Sequence, residues 1–467
     1  MDVGDPLAEA LLEWASSHGR SVSAGLSCPS FIIANPMATG DAEQALAQAG
    51  EADLPGAMAR VYPHGTRINP AGRLEIGGCD TVELARELGT PAYVYAEDDM
   101  RVRARATMEA FAARSERFEV VYASKAFPCT AALRIFAEEG LSCDVASGGE
   151  LHLALGAGFA PERIYMHGNN KTEAELQFAS ARGVGHIVVD SLDEIDRLER
   201  VLGGRAQRVL LRVTPGIDTE THSKIQTGQL DSKFGVPLAH LERAVERCGA
   251  AGLALRGLHA HIGSQVNDLS VYGALTDVLR DIGDYPLLNL GGGFAIAYTR
   301  EDRPPPVAEY AEAMLRGVPE NVTVLCEPGR SLVGNAGVTL YTVGTVKEIP
   351  GVRTYVSVDG GMSDNIRPML YGATYEADLV ERMGDSDPCR LVGMHCESGD
   401  VLVPEAALED PRPGDVLAMP ATGAYGHAMA SNYNAVRRPP VVFCRGGQAR
   451  VVVRRETYDD LTRRDVS

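Results

Sequence analysis

The feature that most limits how this chain can fold is a rhythm that starts at residue 119. Short runs of β-branched and apolar residues alternate with longer amphipathic stretches rich in Ala, Leu and Glu. The runs are EVVYASKA (119–126), SCDVAS (142–147), IYMHG (164–168), HIVVDS (186–191), VLLRVTPG (209–216), LRGLHAHIG (255–263), LLNLGGG (287–293) and TVLCEPG (323–329). The first five begin at 119, 142, 164, 186 and 209, about 22 residues apart, the length of a strand plus its covering helix. Eight such units predict a (β/α)8 TIM-like barrel, because an open doubly wound sheet has no reason to favour eight. After about residue 340 the rhythm changes. GVTLYTVGTVKEI, RTYVSVDGG, RLVGMHCESGDVLV, GDVLAMPATG, PPVVFCRGG and ARVVVRRE read as strands joined by Gly, Pro and Asp turns, so a C-terminal β domain is expected. The strand-like piece at 68–78 is expected to join it, which would build that domain from both chain ends.

With 467 residues the chain exceeds one ordinary core, and two or more domains follow. The expected division is an N-terminal extension (1–60) of Ala-rich helical pattern, a segment joining the β domain (61–95), the barrel (96–338) and the β domain (339–467). A net charge of −19 argues against a nucleic-acid or anionic-membrane partner. No run of 18 apolar residues predicts a spanning helix, and the N-terminus is acidic where a signal peptide would be basic. Nine cysteines without regular spacing do not form a disulfide framework, so a reducing cytoplasm is expected.

In a barrel of this kind the chemistry lies at the C-terminal ends of the strands. The unusual residues fall there. Strand 1 ends at Lys125 and strand 2 at Asp144. Strand 6 leads into His259, His261, Ser264 and Gln265. Strand 7 ends on Gly291, Gly292 and Gly293, and strand 8 on Glu327, Gly329 and Arg330. Glycines without a Cβ let backbone N–H groups approach an anion, and barrels often bind phosphate after strands 7 and 8. A desolvated lysine is expected to have a lowered pKa and to form a Schiff base. A deep carboxylate such as Glu327 can keep a ring nitrogen protonated, and an imidazole such as His261 can stack on a ring. Each residue alone has an ordinary reading: an ion-paired strand-end lysine, a tight Gly turn, a core histidine. Together at the ends of strands 1, 6, 7 and 8 they describe a pyridoxal phosphate site, with no metal called for.

The stretches VYASKAF, CDVASGGEL, HGNNKTEAEL, HIGSQ, LNLGGGF, CEPGRSLVGNAG, VDGGMSDNIRPMLYGA, HCESGD and GAYGHAMASNYN resemble, in order from about residue 90 to the end, the diaminopimelate decarboxylase family in its actinobacterial-like form. That family has the fold-type III, alanine-racemase-like architecture, a barrel plus a β domain. The resemblance implies that Lys125 carries the cofactor, with Asp144 nearby and His261 on the ring. It places Ser264, Gly291–Gly293, Gly329 and Arg330 at the phosphate, and Glu327 at the pyridine nitrogen. Arg367 and Tyr371 would bind the substrate's far end, with Arg330 also reaching substrate, and Tyr425 would touch cofactor and substrate. Cys396, as proton donor, and Glu397 would come from the other subunit of a homodimer with shared sites. The implied reaction is decarboxylation of meso-2,6-diaminopimelate to L-lysine. Ornithine, arginine or a related specialised-metabolism acid are the rival substrates, and a non-catalytic cofactor-binding homologue is the rival class.

Overall fold

The computed structural model describes residues 54, 56–215, 232–384 and 386–466, and all eight barrel strands fall where the rhythm put them. In chain order, a small sheet comes first: β1 (Arg67–Ile68), β2 (Leu74–Ile76) and β3 (Cys79–Asp80). Next comes β4 (Ala92–Ala96), and then the barrel: β5 (Phe118–Ala123), β6 (Ser142–Val145), β7 (Ile164–Met166), β8 (His186–Val189), β9 (Arg208–Thr214), the short β10 (Val236–Pro237), β11 (Ala254–His259), β12 (Leu287–Asn289) and β13 (Thr323–Cys326). Parallel pairing runs β9–β11–β12–β13–β5–β6–β7–β8, and β8 pairs back to β9, so the barrel closes.

The local sequence explains why each unit repeats. The helices Gly148–Ala157, Glu173–Arg182 and Leu192–Leu202 start at Ser147, Thr172 and Ser191. These side-chain oxygens accept N–H groups of Glu150, Glu175 and Glu194 that the helix leaves unpaired. Each of the three helices closes on a left-handed glycine. The apolar face of the third, Ile195, Leu198 and Leu202, is buried in the main core with the outer faces of the strands.

Inside the barrel, Val121, Tyr165, Val188, Leu210 and Leu325 form a separate fully packed layer with Leu287. It takes one residue from each of six strands and fills the lumen as a core rather than a pore. Burying each such side chain contributes roughly 1.5–3 kcal/mol. Above this plug the strands turn polar: Asp144, His167, Asp190, Arg212, His259, Asn289 and Glu327 stand within two residues of the C-terminal ends of β6, β7, β8, β9, β11, β12 and β13. The plug gives the site an apolar floor.

The second sheet comprises β14 (Gly337–Ile349), β15 (Arg353–Val358), β16 (Asp378–Leu379), β17 (Asp387–Val392), β18 (Val401–Leu408), β19 (Val416–Met419), β20 (Val441–Arg445) and β21 (Gln448–Val453). Its order is β18–β17–β15–β14–β4–β20–β21, with β19 paired to β14 and β16. The strand contributed from before the barrel is therefore β4, not the segment at 68–78. That segment makes its own three-stranded sheet, tied to the larger one through the Leu74 N–H to Val380 O bond at 2.9 Å. Leu74 and Ile76 still bury in one core with Val94, Val338 and Val442. With only three residues, β2 shares that core without extending the ladder. The helical pattern read over 1–60 lies, for residues 1–53 and 55, outside the described residues. Leu54 and Met58 are buried in the same core. Among the described residues no helix is long and apolar enough to cross a membrane.

Candidate active site

The barrel mouth encloses a cavity of about 190 Å³. Of the residues predicted to hold a cofactor, Lys125, Asp144, His261, Ser264, Gly292, Gly293, Glu327, Gly329, Arg330 and Tyr425 all line it. Gly291 lies directly behind: a Cβ there would stand 2.7 Å from His261 Nδ1. Six separate chain segments thus converge, and five of them leave the ends of β5, β6, β11, β12 and β13. The sixth is the Tyr425 loop of the second sheet, pinned to the barrel by its N–H bond to Ala126 O at 2.8 Å.

Glu327 is a buried charge. Burial by itself would raise its pKa, but His167 and His259 outweigh that and hold the carboxyl well below the usual range. His167 Nε2 lies 2.8 Å from Oε1, His259 Nε2 lies 3.3 Å from Oε2, and Asn289 Nδ2 donates to Oε1 at 2.6 Å. His167 gains in turn: burial pulls its pKa down, and Asp144 and Glu327 push it up further. Glu327 pushes His259 up as well, but burial, with His167 and Arg212 nearby, outweighs it and the pKa falls to about 4. Asp144 is raised by burial to about 6, in spite of His167 and Lys125.

Lys125 is accessible through the cavity while protein surrounds it. The expected lowering of its pKa is overturned. Burial does pull it down, but the charges of Asp144, Tyr425 and Glu327 reverse the direction, and the net shift is upward. Sequence reasoning placed Asp144 near Lys125 but counted only the desolvation, not the charge of that carboxylate. His261 moves the other way, well below its ordinary value through burial and Lys125, and its Nδ1 accepts the Gly292 N–H at 3.3 Å.

The anion cradle is built from close approach. A Cβ on Gly292 would stand 2.1 Å from Glu327 O, so this backbone segment admits only glycine. Opposite, Arg330 donates to Ser264 Oγ at 2.8 Å and to the Tyr298 hydroxyl, with its guanidinium 4.9 Å from the Tyr425 ring centroid. Arg367, buried on the short helix Arg367–Tyr371, donates to the same Tyr298 hydroxyl at 2.9 Å and to Tyr375. It also stands 5.7 Å from the Tyr425 ring. Two guanidiniums thus share one tyrosine hydroxyl and one neighbouring aromatic ring.

Three predicted site residues are not brought to this cavity within the chain. Tyr371 is 65% exposed. Cys396 and Glu397 are exposed on the loop between β17 and β18, where Glu397 accepts from the Tyr433 hydroxyl. His167, Arg212, Asn289, Tyr298 and Tyr375 were missed. The first three end or nearly end predicted strands, so the rule that found Lys125 could have found them. The two tyrosines sit in loops and carry no such signal.

Residues 97–334 match the family model described as "Pyridoxal-dependent decarboxylase, pyridoxal binding domain". The chain is 46% identical over 431 residues to diaminopimelate decarboxylase of Bacillus subtilis, covering 87% of this chain and 98% of that one. The chain belongs to the diaminopimelate decarboxylase family. The Mycobacterium tuberculosis member is also 46% identical, over 435 residues, covering 86% of this chain and 96% of that one. Among solved structures, diaminopimelate decarboxylase of M. jannaschii in complex with L-lysine matches with a TM-score of 0.82 and 32% identity, over 86% of this chain and 98% of that one. The lysine/ornithine decarboxylase of Vibrio vulnificus, at 24% identity and a TM-score of 0.68 over 78% of this chain and 97% of that one, shares the fold. The cavity fits the family's cofactor: an amine, an anionic carboxylate on an apolar floor, and a glycine cradle facing an arginine surround one space.

Proposed function

We propose that this protein decarboxylates meso-2,6-diaminopimelate at its D-centre, releasing CO₂ and L-lysine, with pyridoxal phosphate as cofactor. The observation that carries the reading is the convergence of Lys125, Glu327, Gly292 and Arg330 on one cavity in a chain of this family. Lys125 would hold the cofactor covalently, with Asp144 beside it. Gly291–Gly293, Gly329, Ser264 and Arg330 would hold its phosphate, His261 its ring face and Glu327 its ring nitrogen. When bound, pyridoxal phosphate supplies the sink for the electron pair left at Cα as CO₂ departs. The anionic state of Glu327 suits it to keep a proton on a ring nitrogen.

The protein's remaining task is to read the substrate. Arg367 would pair with the far carboxylate, where a planar fork of donors gives a bidentate grip, and Glu397 with the far ammonium. A bare diamine tail, as in ornithine, has no carboxylate for Arg367. Tyr425 and Tyr371 would close around the substrate, and Cys396 Sγ would return the proton to Cα, with Lys125 the second candidate.

Cys396 and Glu397 face outward, so the reading needs a second copy of the chain. We infer a cytoplasmic homodimer in which each cavity takes Lys125 from one chain and Cys396 and Glu397 from the other. Leu370 and Tyr371 on the short helix, Met394 on the Cys396 loop and Tyr433 beside Glu397 are exposed apolar side chains, as an interface requires. The working division of the chain stays 96–338 for cofactor binding and 339–467, with 61–95, for substrate reading and dimerisation. The test is to incubate holoenzyme separately with meso-diaminopimelate, lysine, ornithine and arginine and to measure CO₂. Release from diaminopimelate alone is expected, and faster release from ornithine or arginine overturns the substrate.

A further inference from the structure

The loop that carries Cys396 and Glu397 is stitched to the loop that leads into Arg367 by a residue with no task so far. Asp400 closes the HCESGD stretch and is 2% exposed. Its Oδ1 accepts the Met362 N–H at 2.7 Å, and its Oδ2 accepts the His395 N–H at 2.9 Å. The contact leaves no room: a Cβ on Gly361 or on Gly393 would stand 2.5 or 2.1 Å from this carboxylate. A backbone bond from Met394 N–H to Gly360 O, at 2.8 Å, runs alongside. His395 extends the link, with Nε2 2.9 Å from Ser363 Oγ and Nδ1 2.9 Å from Asn434 Oδ1. With its proton on Nδ1, the ring donates to Asn434 and accepts from Ser363. Ser431 N–H donates to Ser363 O at 2.8 Å, and the Tyr433 hydroxyl donates to Glu397. Loops 360–367, 393–400 and 431–434 are therefore one hydrogen-bonded block.

We propose that Asp400 is a positioning residue for substrate reading: it fixes the spacing between Arg367, which serves its own chain's cavity, and the Cys396–Glu397 pair, which is presented to the neighbouring one. The proposal rests on the reading above that these residues meet the substrate. A carboxylate suits the post because both oxygens accept. An amide of the same size turns one acceptor into a donor that faces a backbone N–H.

The test is Asp400→Asn in the holoenzyme, read by steady-state kinetics on meso-diaminopimelate and by amide hydrogen exchange. The expected result is a KM raised about tenfold and a kcat lowered by a smaller factor, because Cys396 shares the loop, with cofactor affinity unchanged. Exchange should quicken in peptides covering 360–367 and 393–400 and nowhere else. Combining it with Arg367→Lys should cost less than the product of the two single effects, because both act on one contact. An unchanged KM, fully multiplicative effects, or faster exchange across the whole chain would overturn the proposal. If Asp400→Asn does not fold, Ser363→Ala decides by the same measurements, with KM raised about threefold. Wild-type holoenzyme that releases no CO₂ from diaminopimelate sinks the substrate reading instead, and loop-confined exchange in Asp400→Asn still decides the link between the loops.

Discussion

Glu327 at the barrel mouth and Asp364 under the loop block of the second sheet are both buried carboxylates, yet folding moves them in opposite directions. Burial raises both. Around Glu327 the chain sets two imidazoles and an amide, and the anion wins. Around Asp364 it sets only neutral donors, the Tyr341 hydroxyl and the Gly361 N–H at 2.7 Å, with Asp400 and Asp359 nearby, and the pKa climbs to about 7. The first arrangement holds an anion at the cavity, and the second holds a carboxyl group that keeps its proton. Exposure divides the regions the same way. The barrel cavity is built within one chain, whereas the second sheet's loops point Tyr371, Cys396 and Glu397 outward.

The largest blow to this contrast falls on the barrel side. Lys125→Ala should abolish the visible absorbance of the lysine-bound cofactor together with all measurable turnover. A mutant that keeps both would move the covalent link to another lysine and empty the barrel mouth of its role. Complementation then asks whether the outward loops belong to the same site. Inactive Lys125→Ala mixed with inactive Cys396→Ala, after subunit exchange, should recover about a quarter of wild-type activity, since half the dimers are mixed and half their sites intact. No recovery despite proven exchange would place Lys125 and Cys396 in one chain's site.

Arg330→Ala sharpens the cradle. Loss of a charge-assisted phosphate contact should weaken cofactor binding by roughly 1.5–3 kcal/mol, read by equilibrium dialysis. Unchanged affinity would assign Arg330, with its Tyr298 contact, to the substrate side beside Arg367. The smallest effect tests the carboxyl group that keeps its proton. Between its unfolded pKa of about 3.9 and its folded value of about 7, Asp364 keeps its proton only when folded. Its contribution is full below the unfolded value and is lost as pH rises through about 7. The slope is at most about 1.4 kcal/mol per pH unit. Asp364→Asn should therefore gain on the wild type in urea denaturation between about pH 4 and about pH 7, and no further above that. A stability difference that does not change with pH would refute the raised pKa.

The strand rhythm was legible because a strand plus its helix has a fixed length and each strand of a filled barrel must be apolar below its polar end. Lys125, Glu327 and Gly292 were legible for the same reason: a polar or Cβ-less residue that ends an apolar run has few structural uses. Tyr298, Tyr375 and Asp400 were not, because their contacts join segments distant in sequence: Arg330 with Arg367, and Met362 with His395.

By itself, then, the sequence determined the barrel, the all-β second domain and which strand ends gather polar residues and glycines at one cavity, all of them consequences of local periodicity and chain length. Tertiary structure alone decided the sign of each charge. Lys125 rises rather than falls because β6 brings Asp144 beside it, and Glu327 stays ionised because β7 and β11 bring His167 and His259. It also decided that β4 and not 68–78 completes the second sheet, and that Cys396 and Glu397 look away from their own cavity. A pKa or a ladder partner is a sum over neighbours in space, and no spacing along the chain encodes that sum.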